Sequence, residues 1–333
     1  DMDLKKNRNA FVAERIPVVP YSDDGPYNPY PFFTIQAMDR RTGKPLAKTR
    51  CVAPASTEMG CHTCHGGNWR VKGMAGLADE TAADILDVHD RMNKTDLLKS
   101  AKTGKPVRCQ SCHADPAMDA GGKPALLNLS AAMHGFHAVY LTGRGVEACN
   151  SCHPSHPGGR SRCFRGLHAR MGLTCLSCHG PLEDHALSLL NHEHKAGKAG
   201  AARLMRHIRP RTIEDKGEIK PRIPWVNEPD CLHCHRDFMA PDQDASAFNQ
   251  WTEGLEELYR MRTDEAGILC QACHGNTHAL YPARNPYGKD RDNIQPKQYQ
   301  KNPYPIGADG NCRVCHTIDM EDEMHHPNSL RMI

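Results

Sequence analysis

The apolar residues of the stretch TAADILDVHDRM recur at the three- and four-residue spacing of an amphipathic helix. Ala82, Ile85 and Leu86 fall on one face of that helix together with His89. The pattern therefore predicts a helix that carries His89 on its buried side. A histidine among apolar positions is unusual, because an imidazole buried there needs a polar partner.

A second helix is predicted over LSAAMHGFHA, with Ser130 as its N-cap. His134 and His137 then lie one turn apart on one side, where they could reach two neighbouring groups. A third helix is predicted over PLEDHALSLL, in which His185 shares a stripe with leucine and alanine. The stretch LSLLNHEHKAGKAGAARLMRHIRP extends it into a predicted pair of helices.

The first 50 residues have a different pattern. FFTIQAMDRRTGKPLAKTRC alternates apolar and polar residues on both sides of a Thr-Gly-Lys turn, which predicts a small β-hairpin. The Pro/Tyr-rich segment before it predicts an extended arm that packs on its own chain or on a neighbour. The opening residues DMDLKKNR have neither an initiator methionine nor an apolar leader, which indicates a mature chain whose targeting segment has been removed.

Composition limits the size of any side-chain core. Of the 333 residues, 39% are hydrophobic and 6% aromatic, and there are 24 prolines and 27 glycines. We therefore expect a mostly irregular fold with short α-helices, one small N-terminal hairpin and little sheet, in which something other than side chains supplies apolar volume. The net charge of +3 and the absence of a basic, aromatic-rich cluster argue against nucleic-acid binding. No apolar run reaches the length of a membrane span.

Cysteine spacing gives the chemistry. Fourteen of the 16 cysteines form seven C-x-x-C-H units, which we number 1 to 7 along the chain. The units are Cys61/Cys64/His65, Cys109/Cys112/His113, Cys149/Cys152/His153, Cys175/Cys178/His179, Cys231/Cys234/His235, Cys270/Cys273/His274 and Cys312/Cys315/His316. Two cysteines so spaced can form thioethers to the two vinyl groups of one haem, and the following histidine then ligates the iron. Zinc sites or redox dithiols are the alternative, but neither needs a histidine after each pair, and seven pairs cannot all be shared two to a zinc ion.

On these motifs, residues 51–333 resemble the multihaem c-type cytochromes of respiratory bacteria, particularly those used for extracellular electron transfer. Phrases such as SAAMHGFHA, CQACHGNTHALYP and NPYPFFTIQAMDRRTGKPLA are similar to segments of such exported proteins. The resemblance implies seven covalently attached haem c groups with the chain wrapped around them. It also implies a location outside the cytoplasmic membrane, in the periplasm or at the cell surface, which the cysteine content fits.

Each haem iron needs a second axial ligand. Fourteen histidines lie outside the motif positions, twice the number required, and the 14 methionines are the rival ligands. We expect mainly bis-histidine ligation by His89, His134, His137, His168, His185, His278 and one of the tail pair His325/His326, with His326 preferred. His207 is the reserve, and His156, His192 and His194 are expected to be solvated.

The motifs divide the chain into a haem-free segment, residues 1–50, and a seven-haem region, residues 51–333, with possible lobes at 51–200 and 201–333. The 26-residue step from Cys149 to Cys175 predicts the closest haem pair. Cys51 and Cys163 are left over, and a disulfide between them is expected in an oxidising compartment. A free thiol at each is the alternative.

Three functions are compatible with these features. The first is an electron relay without substrate chemistry, whose partners are other redox proteins or copies of itself, as a homo-oligomer or filament. The second is a multihaem oxidoreductase acting on nitrite, hydroxylamine or tetrathionate through one open haem; the lysine-ligated C-x-x-C-K motif common in such enzymes is not present. The third is a conduit subunit that docks on a partner cytochrome or porin. The sequence favours the relay and leaves its terminal acceptor open.

Overall fold

The computed structural model describes residues 2–6, 10–14, 16, 18–20, 28–66, 79–153, 163–241, 244–285, 292–320 and 325. Its α-helices are α1 (Asp79–Asn93), α2 (Leu97–Lys102), α3 (Leu129–Tyr140), α4 (Val146–Asn150), α5 (Leu167–Arg170), α6 (Cys175–His179), α7 (Leu182–Lys195), α8 (Ala199–Met205), α9 (Cys231–Cys234), α10 (Cys270–His274) and α11 (Gln295–Tyr299). Its strands are β1 (Asp3–Lys5), β2 (Ala10–Val12), β3 (Phe32–Met38), β4 (Pro45–Val52), β5 (Arg165–Gly166), β6 (Gly275–Asn276) and β7 (Ala279–Leu280). Short helices, small sheets and irregular connections are thus confirmed.

The N-terminal hairpin is confirmed as the antiparallel pair β3–β4, which pairs Phe33 with Cys51. Its turn is closed by Asp39, whose carboxylate accepts hydrogen bonds from the backbone N–H groups of Arg41 and Thr42. Gly43 adopts a φ of +66° there, which favours glycine. A second hairpin, β1–β2, precedes the Pro/Tyr-rich segment and was not predicted from the sequence.

The long helices form where the apolar periodicity predicted them, at α1, α3 and the pair α7–α8. The N-cap predicted for α3 is wrong. The helix begins at Leu129, and the side chain of Asn128 accepts the backbone N–H of Ala131 at 2.8 Å. Ser130 lies inside the first turn, where its hydroxyl and its carbonyl both contact His134.

A side-chain core does exist, and it lies where α3, α7 and α8 pack together. Leu187, Leu189 and Leu190 of α7 are fully buried in it, together with Ala131 of α3 and Ala201 of α8. Gly135 permits the close approach of α3, since a Cβ there would lie 3.0–3.2 Å from leucine methyl groups of α7 and α8. This core contains residues from both sides of position 200.

Polar side chains of α7 hold the surrounding loops. The buried carboxylate of Asp184 accepts hydrogen bonds from the backbone N–H groups of Arg211 and Thr212 and from the Thr212 hydroxyl. Glu193, also buried, accepts from the backbone N–H of Asn128 and forms an ion pair with Lys198 at 2.8 Å. These contacts fix the start of α3 and the connection after α8.

The expected disulfide is absent from the structure, in which Cys51 and Cys163 are both free thiols. The N-terminal segment is instead fastened to the centre by Tyr30, which is completely buried. The guanidinium of Arg165 lies 4.7 Å from the centre of the Tyr30 ring and donates to its hydroxyl at 3.4 Å. A cation over an aromatic face, shielded from water, stabilises this attachment.

A small three-stranded sheet joins distant parts of the chain. β5 pairs in parallel with β7, and β6 pairs antiparallel with β7, in the order β5-β7-β6. His168 follows β5 by two residues and His278 precedes β7 by one, so the sheet positions both histidines. Among the described residues, no helix combines the length and the apolar character needed to cross a bilayer.

Candidate functional site

Every C-x-x-C-H unit forms one tight helical turn. In five of the seven, the backbone N–H of the motif histidine donates to the carbonyl of the first cysteine at 2.8–2.9 Å, and the histidines are His65, His113, His153, His235 and His316. The other two, motifs 4 and 6, lie whole within the α-helical turns α6 and α10. One turn puts the two thiols on the same side of the backbone, next to the imidazole.

Burial disfavours the thiolate form of several motif cysteines. Burial raises the pKa of Cys152, Cys178, Cys231 and Cys273 to about 11, with neighbouring motif cysteines adding to the effect. The pKa of Cys149 is raised further, first by a hydrogen bond with the Cys175 thiol and then by burial. Redox-active C-x-x-C pairs depress a thiol pKa instead, so this geometry does not favour a dithiol function.

All seven motifs open onto one cavity of about 3070 Å³. Small-molecule pockets usually measure about 300–1,000 Å³, so this space exceeds what a single ligand of that kind would fill. The cavity is lined by all fourteen motif cysteines and all seven motif histidines. His89, His134, His137, His168, His185, His278 and His325 also line it. The cavity leaves room for the non-side-chain apolar groups that we expected from the composition.

Across this cavity, six motif histidines each face one other histidine at a nearly constant separation. The ring centroids are 6.3 Å apart for His65 and His137, 6.4 Å for His113 and His89, 6.5 Å for His153 and His134, 6.3 Å for His179 and His278, 6.0 Å for His235 and His168, and 6.1 Å for His316 and His325.

That separation is the one that a shared metal ion would impose. An imidazole nitrogen binds a first-row metal at about 2.0–2.1 Å, and its ring centroid lies about 1.2 Å further away, so two trans imidazoles have centroids about 6.4 Å apart. The six pairs therefore fit an iron held between them in a haem plane.

In seven of the twelve paired histidines, the other ring nitrogen is anchored as a ligand histidine requires. Metal-bound histidines usually donate the other ring N–H to a carbonyl or carboxylate, which leaves Nε2 for the metal. Nδ1 lies within hydrogen-bonding distance of Leu127 O for His113, Ser130 O for His134, Met133 O for His137, Met239 O for His235 and Thr95 Oγ1 for His89. With donation from Nδ1 to these oxygens, the Nε2 atoms are free to ligate.

Two pairs have a carboxylate as the anchor instead. Asp84 Oδ2 lies 2.9 Å from Nδ1 of His65, and Asp264 Oδ2 lies 2.6 Å from Nδ1 of His325. A carboxylate makes the imidazole a stronger donor to a metal than a carbonyl does. The two histidines belong to the pairs of motifs 1 and 7.

Three of the histidines considered in the sequence need separate mention. His185 is brought into the cavity, but its ring lies 4.5 Å from that of His134 and 5.6 Å from that of His179, shorter than the six pairs. Its two ring nitrogens face the guanidinium of Arg222 at 3.0 and 3.3 Å. His326 lies outside the described residues, as does His156, and it is His325 that faces His316.

Motif 6 has no such pair among the separations given above, although His274 does interact with other residues. The backbone carbonyl of His274 accepts the N–H of Tyr281 at 2.8 Å, which folds the segment after motif 6 back on itself. This turn is what carries His278 away from its own motif and toward His179 of motif 4.

Contacts between motifs give their order along the cavity. Motif 1 touches motif 3 through Gly60, whose N–H donates to Cys152 O at 2.9 Å. Motif 3 touches motif 4 through the thiols of Cys149 and Cys175. The expected proximity of motifs 3 and 4 is therefore present in the protein chain. His134 and His137 on α3 face motifs 3 and 1, as the one-turn spacing predicted.

The order continues beyond motif 4. The pKa of Cys178 is raised by burial and then by the neighbouring thiol of Cys234, which places motif 4 beside motif 5. Motif 5 meets motif 6 through Arg262, whose guanidinium contacts Asp230 at 3.2 Å and whose carbonyl accepts the N–H of Cys270. Motif 6 lies beside motif 7, since the thiol of Cys315 contributes to the raised pKa of Cys273. The backbone N–H of Ile306, six residues before motif 7, donates to Cys273 O at 3.1 Å.

Motif 2 joins the series through α1. Asp84 of that helix contacts His65 of motif 1, and His89 faces His113 of motif 2. The motifs therefore lie in the spatial order 2-1-3-4-5-6-7, which differs from their order in the sequence. One cysteine in each of motifs 1, 2 and 7 is exposed, whereas the cysteines of motifs 3 to 6 are all half-buried.

Sequence reasoning missed Asp84, Asp264 and Arg222. Asp84 lies five residues before His89 on the helix that we predicted, so a search for carboxylates near the motifs could have found it. Nothing in the sequence around Asp264 or Arg222 distinguishes them from other charged residues. Their roles depend on contacts between segments 37 to 61 residues apart in sequence.

Comparisons with known proteins found no matching family model, no matching curated protein and no matching solved structure. Within the described part of the chain, no cluster of three or more His, Cys, Asp or Glu side chains could hold a metal ion by themselves. The histidines instead face each other in pairs, which is the arrangement that suits a porphyrin supplying the other four ligands.

Proposed function

We propose that this chain is a heptahaem c-type cytochrome of the exported electron-transfer type. Each C-x-x-C-H turn would hold one haem by two thioethers, and each motif histidine would be its proximal ligand. The observation that carries the proposal is the set of six histidine pairs, 6.0–6.5 Å apart, that line one cavity with all seven motifs. Bound there, haem supplies a one-electron centre at its iron.

The protein residues perform three tasks in this proposal. His89, His134, His137, His168, His278 and His325 close the distal positions, so that substrates cannot reach six of the irons. Carbonyl and carboxylate anchors fix the imidazoles, which reduces reorganisation between the two oxidation states. The order 2-1-3-4-5-6-7 makes the chain a relay with motifs 2 and 7 at its ends.

Export beyond the cytoplasmic membrane belongs to the same proposal, because thioether attachment and 16 cysteines suit an oxidising compartment. The partners would then be other redox proteins or further copies of this chain, in contact with the end motifs. Electron microscopy of the secreted holoprotein distinguishes a filament from a conduit subunit: fibres support self-assembly, and isolated particles at every concentration exclude it.

A multihaem oxidoreductase is the second candidate. The observation in its favour is the buried pair of His185 and Arg222 beside His179, since an acid/base group next to a cation is typical of a substrate site. It requires His278 to leave the iron of motif 4 open, although its ring lies 6.3 Å from that of His179.

Carbon monoxide binding to the reduced holoprotein separates the two candidates. An electron relay closed by the six histidine pairs has low-spin haems at motifs 1 to 5 and 7, and carbon monoxide leaves the spectra of these six haems unchanged. The enzyme hypothesis requires a high-spin haem that becomes low-spin when it binds carbon monoxide. If His278→Ala adds no further high-spin signal, His278 is not a ligand at motif 4, and the enzyme is favoured over the relay.

A further inference from the structure

Arg222 lines the cavity and is only 6% exposed. Its Nε donates to the Ser188 hydroxyl at 3.1 Å, and its Nη2 lies against both ring nitrogens of His185. The guanidinium also stacks 5.1 Å from the centre of the Trp251 ring. Its direction is thus fixed on three sides by α7 and by the 251 segment.

The charge of Arg222 has no anionic partner in contact with it among the described residues. Glu228 acts on it from a distance, but the Glu228 carboxylate is engaged by Arg260. Burial lowers the pKa of Arg222 to about 10, and the distant Glu228 only partly opposes this effect. An arginine kept ionised inside a protein needs an anion, because removal from water without one is costly.

His185 cannot be that partner, because an imidazole is either neutral or cationic and carries no negative charge to compensate the guanidinium. His185 also lacks the Nδ1 anchor on a carbonyl or carboxylate that six of the paired histidines have, since guanidinium is a donor and never an acceptor. It is oriented toward the cation rather than toward a metal.

The proposed haems would supply candidate anions inside the cavity, because each haem has two carboxylate side chains. Arg222 shares the cavity wall with His134 and His179, the histidines of motifs 3 and 4. Guanidinium binds carboxylate through two parallel hydrogen bonds, which lysine cannot reproduce.

We propose that Arg222, oriented by His185 and Ser188, is the binding site for a carboxylate side chain of the haem held at motif 3 or motif 4. This inference rests on the proposed function. His185 is then a positioning residue for Arg222 and not an axial ligand. The pairing would raise the reduction potential of that haem, since it cancels a negative charge that stabilises the oxidised iron.

The test compares the Arg222→Gln holoprotein with the wild type by redox titration and by the resonance Raman bands of the haem carboxylates. We expect seven haems, an unchanged low-spin spectrum and shifted carboxylate bands. The midpoint potential of one haem should be lower in Arg222→Gln than in the wild type. Measured at the wild-type midpoint, the reduced-to-oxidised ratio of that haem should fall about tenfold, which corresponds to about 59 mV for one electron. Arg206→Gln, exposed and outside the cavity lining, removes the same charge and should change neither readout.

Two further variants keep the outcome interpretable if Arg222→Gln fails to mature. Arg222→Lys should retain the potential within a threefold change in that ratio while still shifting the carboxylate bands. His185→Gln should leave the spin state of every haem as it is in the wild type. A new high-spin haem in His185→Gln would make His185 a ligand and overturn the proposal, as would carboxylate bands that match the wild type in both Arg222 variants.

The source of the carboxylate is identified in a His134→Met chain, where the haem of motif 3 is marked by a raised potential. If the carboxylate belongs to the haem of motif 3, Arg222→Gln in that background lowers the raised potential of the marked haem in the redox titration. If it belongs to the haem of motif 4, the potential of another haem falls and the marked haem keeps its value. A wild-type chain with fewer than seven haems would refute the proposed function itself, independently of these results.

Discussion

At the scale of single residues, the distal histidines carry the account. Replacing His89 by alanine should open the iron of motif 2, because no other side chain would then complete the pair with His113. About one haem in seven should become high-spin and bind carbon monoxide. Visible and electron paramagnetic resonance spectra of the holoprotein measure this change.

His194→Ala is the matched control, because His194 is exposed on the last turn of α7. It should leave the spin state of all seven haems as it is in the wild type. A His89→Ala spectrum identical to that of His194→Ala would remove His89 from the ligand set.

Asp84 offers a second test at the same scale. Asp84→Asn replaces the carboxylate at 2.9 Å from His65 Nδ1 by a neutral amide, so the imidazole donates less electron density to iron. The potential of one haem should rise by tens of millivolts, on the order of the 59 mV that equals a tenfold change in its equilibrium.

The control for Asp84→Asn is Asp87→Asn, one turn along α1, where the carboxylate pairs with Arg91 on the surface. Redox titration should show no comparable rise for Asp87→Asn. Equal shifts in the two variants would mean that the effect is the general charge of the helix and not the contact with His65.

At the scale of elements, α7 holds the loops around the cavity through buried carboxylates. Asp184→Ala removes the acceptor for two backbone N–H groups and the Thr212 hydroxyl. The free energy of unfolding should fall by about 2–4 kcal/mol, since these donors lose their partner. Urea unfolding of the holoprotein followed by circular dichroism measures it.

Glu214→Ala serves as the control for Asp184→Ala, because Glu214 is exposed on the loop that Asp184 holds. Its effect should stay within about 0.5 kcal/mol. A loss of similar size in both variants would show that the loop, and not the buried carboxylate, is sensitive.

The positions of the long helices could be predicted from the sequence, because the apolar residues that repeat every three to four positions are the ones that the helices bury. α1, α3, α7 and α8 all form where that pattern placed them. The N-cap of α3 did not follow, since Asn128 and Ser130 are both good caps and only the contact of Asn128 with Glu193 decides between them. The second hairpin, β1–β2, has strands of three residues each, too short for alternation to be recognised.

The motif residues could be read directly from the sequence, whereas the partner of each motif could not. His278 follows motif 6 in sequence but faces motif 4, because the turn at Tyr281 and the pairing of β5 with β7 carry it there. His185 has the apolar stripe of a ligand helix, yet Arg222, 37 residues away, occupies its ring nitrogens. Such contacts depend on the fold as a whole.

At the scale of the whole molecule, the spatial order of the motifs is a prediction of its own. The iron of motif 2 should occupy one end of the series and that of motif 7 the other, with the iron of motif 1 between those of motifs 2 and 3. Iron positions from anomalous scattering or electron microscopy of the holoprotein test this order. An iron of motif 1 at the end of the series would contradict it.

The central claim is that all seven C-x-x-C-H turns hold covalent haem. The most direct measurement is the pyridine haemochrome content per chain of the purified, fully matured holoprotein. The account predicts seven haems for each 333-residue chain. A reproducible content of six or fewer, with the remaining cysteine pairs found as thiols or bound to zinc, would contradict it.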